Sequence, residues 1–267
     1  MQPKERDALA VEFGKIACDA GALIMTIRAS DPGPSRKADG TPVTRADIEA
    51  ERLICARLAA ILPEVPLIAE ETFRADSLVG ALERFVLVDP LDGTREYLAG
   101  YADFTVNIAL IEATSPVAGA ICAPATDRVY LGGDRAYCAE LRANGFFPPH
   151  EALKAIAARA VPLTGLRAVA SRSHLDPQTE RFLRDLPVGE LRSAGSSLKF
   201  CFIACGEADV YPRFGPTMEW DTAAGQAILS AAGGCVLGPD DAPLRYGKHD
   251  AGFRNHGFVA WGRRPPE

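Results

Sequence analysis

Three acidic clusters carry the residues of this chain that could do chemistry: Glu70-Glu71-Thr72, Asp89-Pro90-Leu91-Asp92-Gly93-Thr94 and Glu219-Trp220-Asp221. Taken singly, each has an ordinary explanation. Carboxylates are common in turns, and at a helix start the macrodipole favours them. Together they supply what a hard divalent cation such as Mg²⁺ needs, which is oxygen donors from separate segments with room for retained waters. Two such ions about 4 Å apart can hold a phosphoryl group and activate a water for in-line attack. Pro90 fixes one backbone angle and restricts its neighbour, so the loop carrying Asp89 and Asp92 is stiff. Gly93 permits a tight turn or a close backbone approach. Such a loop suits Asp89 as a bridging ligand, Asp92 as a ligand of one ion and the Leu91 carbonyl as a ligand of the other.

The surrounding pattern shows which elements must position these groups. Leu9, Phe13, Ile16, Ala20, Leu23 and Ile27 recur at helical spacing and predict an amphipathic helix over 5–29. Asp31-Pro32-Gly33-Pro34-Ser35 breaks it. Thr44 N-caps a second helix that runs to Leu62 and ends at Pro63. Thr44-x-x-Asp47 is a capping-box-like start, so Asp47 has a structural explanation as well as a chemical one. The β-rich runs 65–69 and 85–88 both end in acidic residues. Runs 104–111, 117–122 and 128–131 are spaced as consecutive antiparallel strands. Segment 132–165, with Gly132-Gly133 and Pro148-Pro149, reads as a junction. Beyond it, strands at 166–170, 188–191, 208–211, 235–237 and 257–260 alternate with helices at 177–185, 197–205 and 219–232, the pattern of a layered α/β half.

Composition narrows the function classes. The 267 residues allow one large domain or two closely packed ones. A net charge of -6 argues against a surface that grips nucleic acid or anionic membrane. A phosphorylated substrate stays possible, because bound cations can supply positive charge. No apolar run approaches the roughly 20 residues that span a bilayer. The N-terminal stretch has no continuous apolar segment of the secretory kind. The seven cysteines are odd in number and scattered, as expected of reduced thiols in a cytoplasmic protein.

Order and spacing then identify the chain as similar to the inositol monophosphatase superfamily. Asp89-Pro90-Leu91-Asp92-Gly93-Thr94 resembles its first signature, and Trp220-Asp221-Thr222-Ala223-Ala224-Gly225 its second. Glu70-Glu71-Thr72 and the stretch from Lys37 to Asp47 match its two upstream elements. The resemblance implies a layered α-β-α-β-α sugar-phosphatase-like fold of the α/β class. An N-terminal α+β half, 1–135, would carry most metal ligands, and a C-terminal α/β half, 136–267, would carry Asp221 and the specificity residues. It implies two or three Mg²⁺ ions held by Glu71, Asp89, the Leu91 carbonyl, Asp92 and Asp221, and inhibition by lithium. Asp47 and Thr94, with Glu71, would orient and help deprotonate the attacking water. Glu70 would lie behind the ligands or face solvent.

Arg95-Glu96-Tyr97 follows the first signature, as in the bisphosphate-nucleotidase branch. Ser171-Arg172-Ser173-His174 and Gly195-Ser196-Ser197-Leu198-Lys199 are similar to its nucleotide-cradling elements. Asp209–Arg213 and Gly215–Asp221 resemble the bacterial form active in sulfate assimilation. The implied substrate is 3'-phosphoadenosine 5'-phosphate, contacted by Gly93, Thr94, Ser171, His174, Gly195, Lys199 and Asp221, with Arg213 a candidate for the non-reacting phosphate. A cytoplasmic monomer or homodimer is expected, with no nucleic-acid polymer and no membrane as partner. Inositol monophosphate or fructose 1,6-bisphosphate as substrate, and a non-catalytic nucleotide sensor, remain alternatives. A haloacid-dehalogenase-type phosphatase, which uses a covalent aspartate, carries Asp-x-Asp-Gly-Thr, whereas two residues separate Asp89 from Asp92 here.

Overall fold

The computed structural model describes residues 3–30, 33–36, 40–74, 82–172 and 175–264. Helix α1 (Pro3–Ser30) buries Phe13, Ile16, Ala17, Ala20, Ile24 and Ile27, a stripe at three- and four-residue spacing. Strands β1 (Ser35–Arg36) and β2 (Pro42–Val43) form a short antiparallel pair. Helix α2 (Arg45–Ile61) follows, capped by Thr44, whose hydroxyl accepts from the Ala46 N–H at 3.1 Å.

A seven-stranded sheet comes next. It runs in chain order through β3 (Leu67–Ala69), β4 (Arg84–Asp92), β5 (Thr105–Glu112), β6 (Ser115–Ala123), β7 (Arg128–Gly132), β8 (Ala136–Glu140) and β9 (Lys154–Ile156). Only the β3–β4 pairing is parallel. Along β4, Val86 and Val88 pack under α1 and α2, while Phe85 and Leu87 face the opposite core. This period of two lets one strand serve two cores. The short helix α3 (Thr94–Leu98) leaves the end of β4.

The second sheet has the order β11-β10-β12-β16-β14. Its strands are β10 (Leu166–Ser171), β11 (Val188–Ala194), β12 (Val210–Arg213), β14 (Cys235–Leu237) and β16 (Phe258–Trp261). The two-residue strands β13 (Thr217–Met218) and β15 (Arg254–Asn255) pair beside it. Helix α4 (Pro177–Asp185) covers the outer face, with Leu183 packed on Ala168, Ala170 and Val210. Helices α5 (Leu198–Ala204) and α6 (Glu219–Ala231) lie between the sheets, where Phe200, Trp220 and Ile228 share a core with Phe85, Leu87 and Phe258. The layers are therefore α-β-α-β-α, as the sequence implies. Each fully buried Phe or Ile in them contributes about 1.5–3 kcal/mol.

The division at 135/136 falls inside the first sheet. Gly132 pairs with Ala136 across the β7–β8 turn, and β9 extends the sheet to Ile156. Sheet membership changes between Ile156 and Leu166. Strands β8 and β9 are short and only partly buried, so they carry little of the apolar pattern that marks a strand in sequence.

Close contact between α6 and the first sheet depends on a missing side chain. A Cβ on Gly132 would lie 2.5 Å from Ile228 Cα and 2.6 Å from its nitrogen. Backbone cannot step aside as a flexible side chain can. Gly132→Ala should therefore destabilise the protein by about 1–3 kcal/mol. The melting temperature should fall by roughly 3–10 °C, and an unchanged value in calorimetry would show that α6 is not seated by this contact.

Candidate active site

A cavity of about 630 Å³ opens where the carboxyl ends of β3 and β4 meet the starts of α5 and α6. Its lining includes Glu70, Asp89, Asp92 and Asp221. The local fold explains how they meet. Asp89 pairs with Asn107 across the sheet and Asp92 with Thr105, so three steps on β4 match two on β5. This bulge holds Pro90, which cannot serve a regular ladder. The extra residue turns Asp92 to the same face as Asp89; in an unbroken strand the two would point to opposite faces. Asp221 reaches the cavity from the first turn of α6, where it accepts the Met218 N–H at 2.8 Å.

Hydrogen bonds fix each carboxylate. Asp89 Oδ1 accepts the Leu91 N–H at 3.0 Å. Asp92 Oδ2 accepts the Ser197 N–H at 2.6 Å and, more weakly, the Asn107 amide at 3.4 Å. Ser197 Oγ in turn donates to Asn107 Oδ1 at 2.8 Å and lies 2.8 Å from Thr105 Oγ1. This buried polar chain ties the start of α5 to the first sheet. Asp47 Oδ2 accepts from the Thr44 N–H and hydroxyl at 2.7 and 2.6 Å. Its Oδ1 lies 3.1 Å from Thr94 Oγ1, which is also 3.2 Å from the Leu91 carbonyl. Asp47 is thus both helix cap and partner of Thr94. It reaches the cavity through Thr94, which lines the wall while Asp47 does not.

Burial dominates the electrostatics, and crowding of like charge adds to it. Burial, followed by the charges of Glu70, Asp92, Asp221 and Asp47, pushes the Asp89 carboxyl well above the usual range. Burial, then Asp92 and Glu70, does the same to Asp221. Asp92 is pushed up to about 6, mainly by burial, with Lys199 opposing the shift. Burial raises Asp47, against the hydrogen bonds from Thr44. Lys199 is buried too, and its ammonium is lowered to about 8 by desolvation, with Asp92 opposing. It donates to the carbonyls of Ala194 and Ser196 and lies 5.1 Å from the Tyr211 ring.

This donor set fits a hard cation. The donors are all oxygens, and carboxylates that raise one another's proton affinity are relieved by a divalent ion. Among the described residues, no group of three or more His, Cys, Asp or Glu side chains forms a ready cage for a metal. Mg²⁺ does not require one, since it keeps several waters and binds through one or two carboxylates plus substrate phosphate.

Glu70 and Glu71 exchange the roles expected from the sequence. Glu70 lines the cavity, and its charge acts on Asp47, Asp89, Asp92 and Asp221. Glu71 does not line it. The cause is local: the Glu70 N–H donates to the Val88 carbonyl at 3.2 Å, and the Glu71 N–H to Glu51 Oε2 at 2.7 Å. With the peptides on both sides pinned, the first glutamate is held at the cavity wall and the second off it. On this geometry Glu70, rather than Glu71, is the one placed to meet a cation in the cavity.

Among the other expected contacts, Gly93, Thr94, Ser171, Lys199 and Arg213 line the cavity. Gly195 does not. A Cβ there would fall 2.6 Å from the Asp103 carbonyl, and its N–H donates to Asp103 Oδ2 at 3.1 Å, so Gly195 serves close packing. Its neighbours Ser196 and Ser197 take the cavity wall, Ser196 in a left-handed conformation with φ 48°. Such strain persists where surrounding contacts enforce it. Ser173, His174, Lys37 and Asp39 lie outside the described residues. Glu219, buried, accepts from the N–H groups of Gly247 and Lys248 and pairs with the Lys248 ammonium at 2.7 Å, a loop-anchoring role. Sequence reasoning missed Glu51, Asn107 and Thr105, which carry no motif.

The inositol monophosphatase family model matches residues 6–260. The 3'(2'),5'-bisphosphate nucleotidase CysQ of Salmonella typhimurium is 41% identical over 247 residues, covering 91% of this chain and 96% of that protein. The same enzyme of Buchnera aphidicola is 39% identical over 250 residues, covering 92% and 91%. The crystal structure of CysQ from Bacteroides thetaiotaomicron, a bacterial member of the inositol monophosphatase family, superposes with a TM-score of 0.81 at 38% identity, over 97% of this chain and 98% of that one. An inositol monophosphatase from Anabaena shares the fold, with a TM-score of 0.72 at 24% identity over 96% of this chain and 91% of that one.

The two adjacent glutamates separate cleanly in a binding measurement. Glu70→Gln should weaken Mg²⁺ binding by about tenfold or more, because a neutral amide is a poor ligand for a hard cation. Glu71→Gln should change it by less than about twofold, since that side chain lies off the cavity wall. Isothermal titration calorimetry with Mg²⁺ alone decides, and the reverse ranking would restore Glu71 as the ligand.

Proposed function

Since the chain belongs to the inositol monophosphatase family, we propose that it is a Mg²⁺-dependent phosphatase that hydrolyses the 3'-phosphate of 3'-phosphoadenosine 5'-phosphate to AMP and phosphate. The observation that carries this reading is a single cavity lined both by the carboxylates of Glu70, Asp89, Asp92 and Asp221 and by the cations Lys199, Arg213 and Arg254. The carboxylates and the Leu91 carbonyl are the groups to hold two or three ions. The cations suit a second phosphate that the metal ligands do not reach. Leu175, Pro216 and Met218 add apolar wall on which a nucleobase can pack. An inositol ring offers neither feature. The likeness to the CysQ nucleotidases supports the same substrate.

Bound Mg²⁺ supplies the positive charge that polarises the phosphoryl oxygens and makes a water nucleophilic. The chain's own residues do the rest. Thr94 directs its hydroxyl proton to Asp47 Oδ1, which leaves an oxygen lone pair to accept a hydrogen bond from the water. The water oxygen bonds to phosphorus as the bond to the ribose 3'-oxygen breaks on the opposite side. The water's proton passes through Thr94 towards Asp47, whose raised proton affinity suits a general base. The 3'-oxygen leaves and takes a proton from a water in the cavity, and Asp47 returns the proton it accepted to solvent, so the water's hydroxyl ends on phosphorus and its proton is balanced by the one gained at the 3'-oxygen. Lys199, desolvated and held by two carbonyls, offers its charge without first losing a water shell.

All seven cysteines are free thiols, which suits a reducing compartment, and we place the enzyme in the cytoplasm. No helix among the described residues is long and apolar enough to cross a membrane.

Phosphate release from a matched panel tests the substrate. The bisphosphate nucleotide should exceed inositol 1-phosphate in kcat/KM by about 100-fold or more, and removal of Mg²⁺ should abolish both rates. Lys199→Ala should cost the nucleotide roughly 10- to 100-fold, equivalent to a charged hydrogen bond of about 1.5–3 kcal/mol. The residual inositol phosphate rate should barely change. A wild-type preference for inositol phosphate would defeat the nucleotidase reading and leave the metal phosphatase intact.

A further inference from the structure

Glu51 is a buried carboxylate that the chemistry above does not use. It lies 2% exposed on α2, four residues after Asp47, so the two acids share one helix face. It does not line the cavity. Its Oε2 accepts the Glu71 N–H at 2.7 Å across twenty residues of chain. Desolvation raises its carboxyl, and donors on Glu71 and Thr72 pull it back. A buried carboxylate is costly unless donors face it; here the turn that presents Glu70 supplies one to Oε2, while Oε1 is buried with no hydrogen-bond partner among the described residues. One turn of α2 thus holds two separate parts of the site: Asp47 fixes Thr94, and Glu51 fixes the 70–72 turn.

We infer that Glu51 is a positioning residue that sets the Mg²⁺ affinity of the site by orienting Glu70 through the Glu71 N–H. The inference rests on the reading of Glu70 as a metal ligand. Glu51 stands behind that ligand, where loss of the supporting contact typically weakens metal binding by about 10- to 100-fold.

The test separates reach from charge. Glu51→Gln keeps the length and an acceptor oxygen; Glu51→Asp keeps the charge but is one methylene too short to meet the Glu71 N–H. Mg²⁺ affinity is read by isothermal titration calorimetry on the full-length protein, with melting temperature measured in the absence of metal. Glu51→Asp should bind Mg²⁺ about 10- to 100-fold more weakly and Glu51→Gln within about threefold of wild type. At saturating Mg²⁺, kcat of Glu51→Asp should recover towards wild type, a split that general loss of fold does not produce. Glu51→Ala is the second variant should the aspartate fail to fold; it removes the acceptor without a misplaced charge, and the same fall is expected. Unchanged Mg²⁺ affinity in Glu51→Asp or Glu51→Ala, or an equal fall in Glu51→Gln, overturns the inference. Glu70→Gln is the control. If it binds Mg²⁺ like wild type, the ligand assignment fails and takes this inference with it; if it binds weakly while Glu51→Asp does not, only the role of Glu51 falls.

Discussion

Desolvation of carboxylates crowded into one cavity is the constraint to which most of this architecture answers. Glu70, Asp92 and Asp221 meet, partly exposed, beside the buried Asp89, and burial together with neighbouring charge makes Asp89, Asp92 and Asp221 harder to ionise. Left alone, such a cluster would open the fold or take up protons. Backbone N–H groups from Leu91, Ser197 and Met218 meet three of the four aspartate and glutamate side chains directly. Lys199 adds the nearest buried positive charge, itself destabilised by burial. What these contacts leave uncompensated is the driving force for binding a cation, so cost in the empty cavity and affinity in the loaded one have a common origin.

Rigid placement of these groups comes from elements that belong to different layers. The bulge in β4 turns two aspartates to one face, α2 holds the Thr94 and Glu70 turns, and α6 brings Asp221 across from between the sheets. The Thr105, Asn107 and Ser197 chain joins the strand that carries Asp92 to the segment that carries Lys199. Asp92 and Lys199 thus come from opposite halves of the sequence but share one buried hydrogen-bond path.

Much of this was legible in the residues. Helical spacing in 5–29, the Thr44 cap and the strand-helix alternation after 165 correspond to α1, α2 and the second sheet. Pro90 between two aspartates signalled a stiff loop, and the bulge is the form that stiffness takes. The choice between Glu70 and Glu71 was not legible. In a turn, which of two adjacent side chains faces inward depends on how the peptides are anchored, and the anchor is Glu51, which carries no motif. Gly195 misled for a similar reason. The segment resembles a ligand cradle, but the glycine itself exists to let Asp103 approach, and its serine neighbours face the cavity. Strands β8 and β9 escaped notice because they are half-exposed and short.

The position of β16 bears on how the protein can be made. It is the last strand among the described residues, yet it sits inside the second sheet, bonded on one side to β12 and on the other to β14. A ribosome therefore releases Glu70, Asp89 and Asp92 well before the sheet that backs α6 can close. Until Phe258–Trp261 emerges, β12 and β14 each present an open edge, and the helix bearing Asp221 has only one of its two walls. Open strand edges invite pairing with other chains. The nascent polypeptide is consequently most vulnerable to aggregation between the emergence of β14 and that of β16, and the arrival of Phe258–Trp261 is the event that closes the sheet.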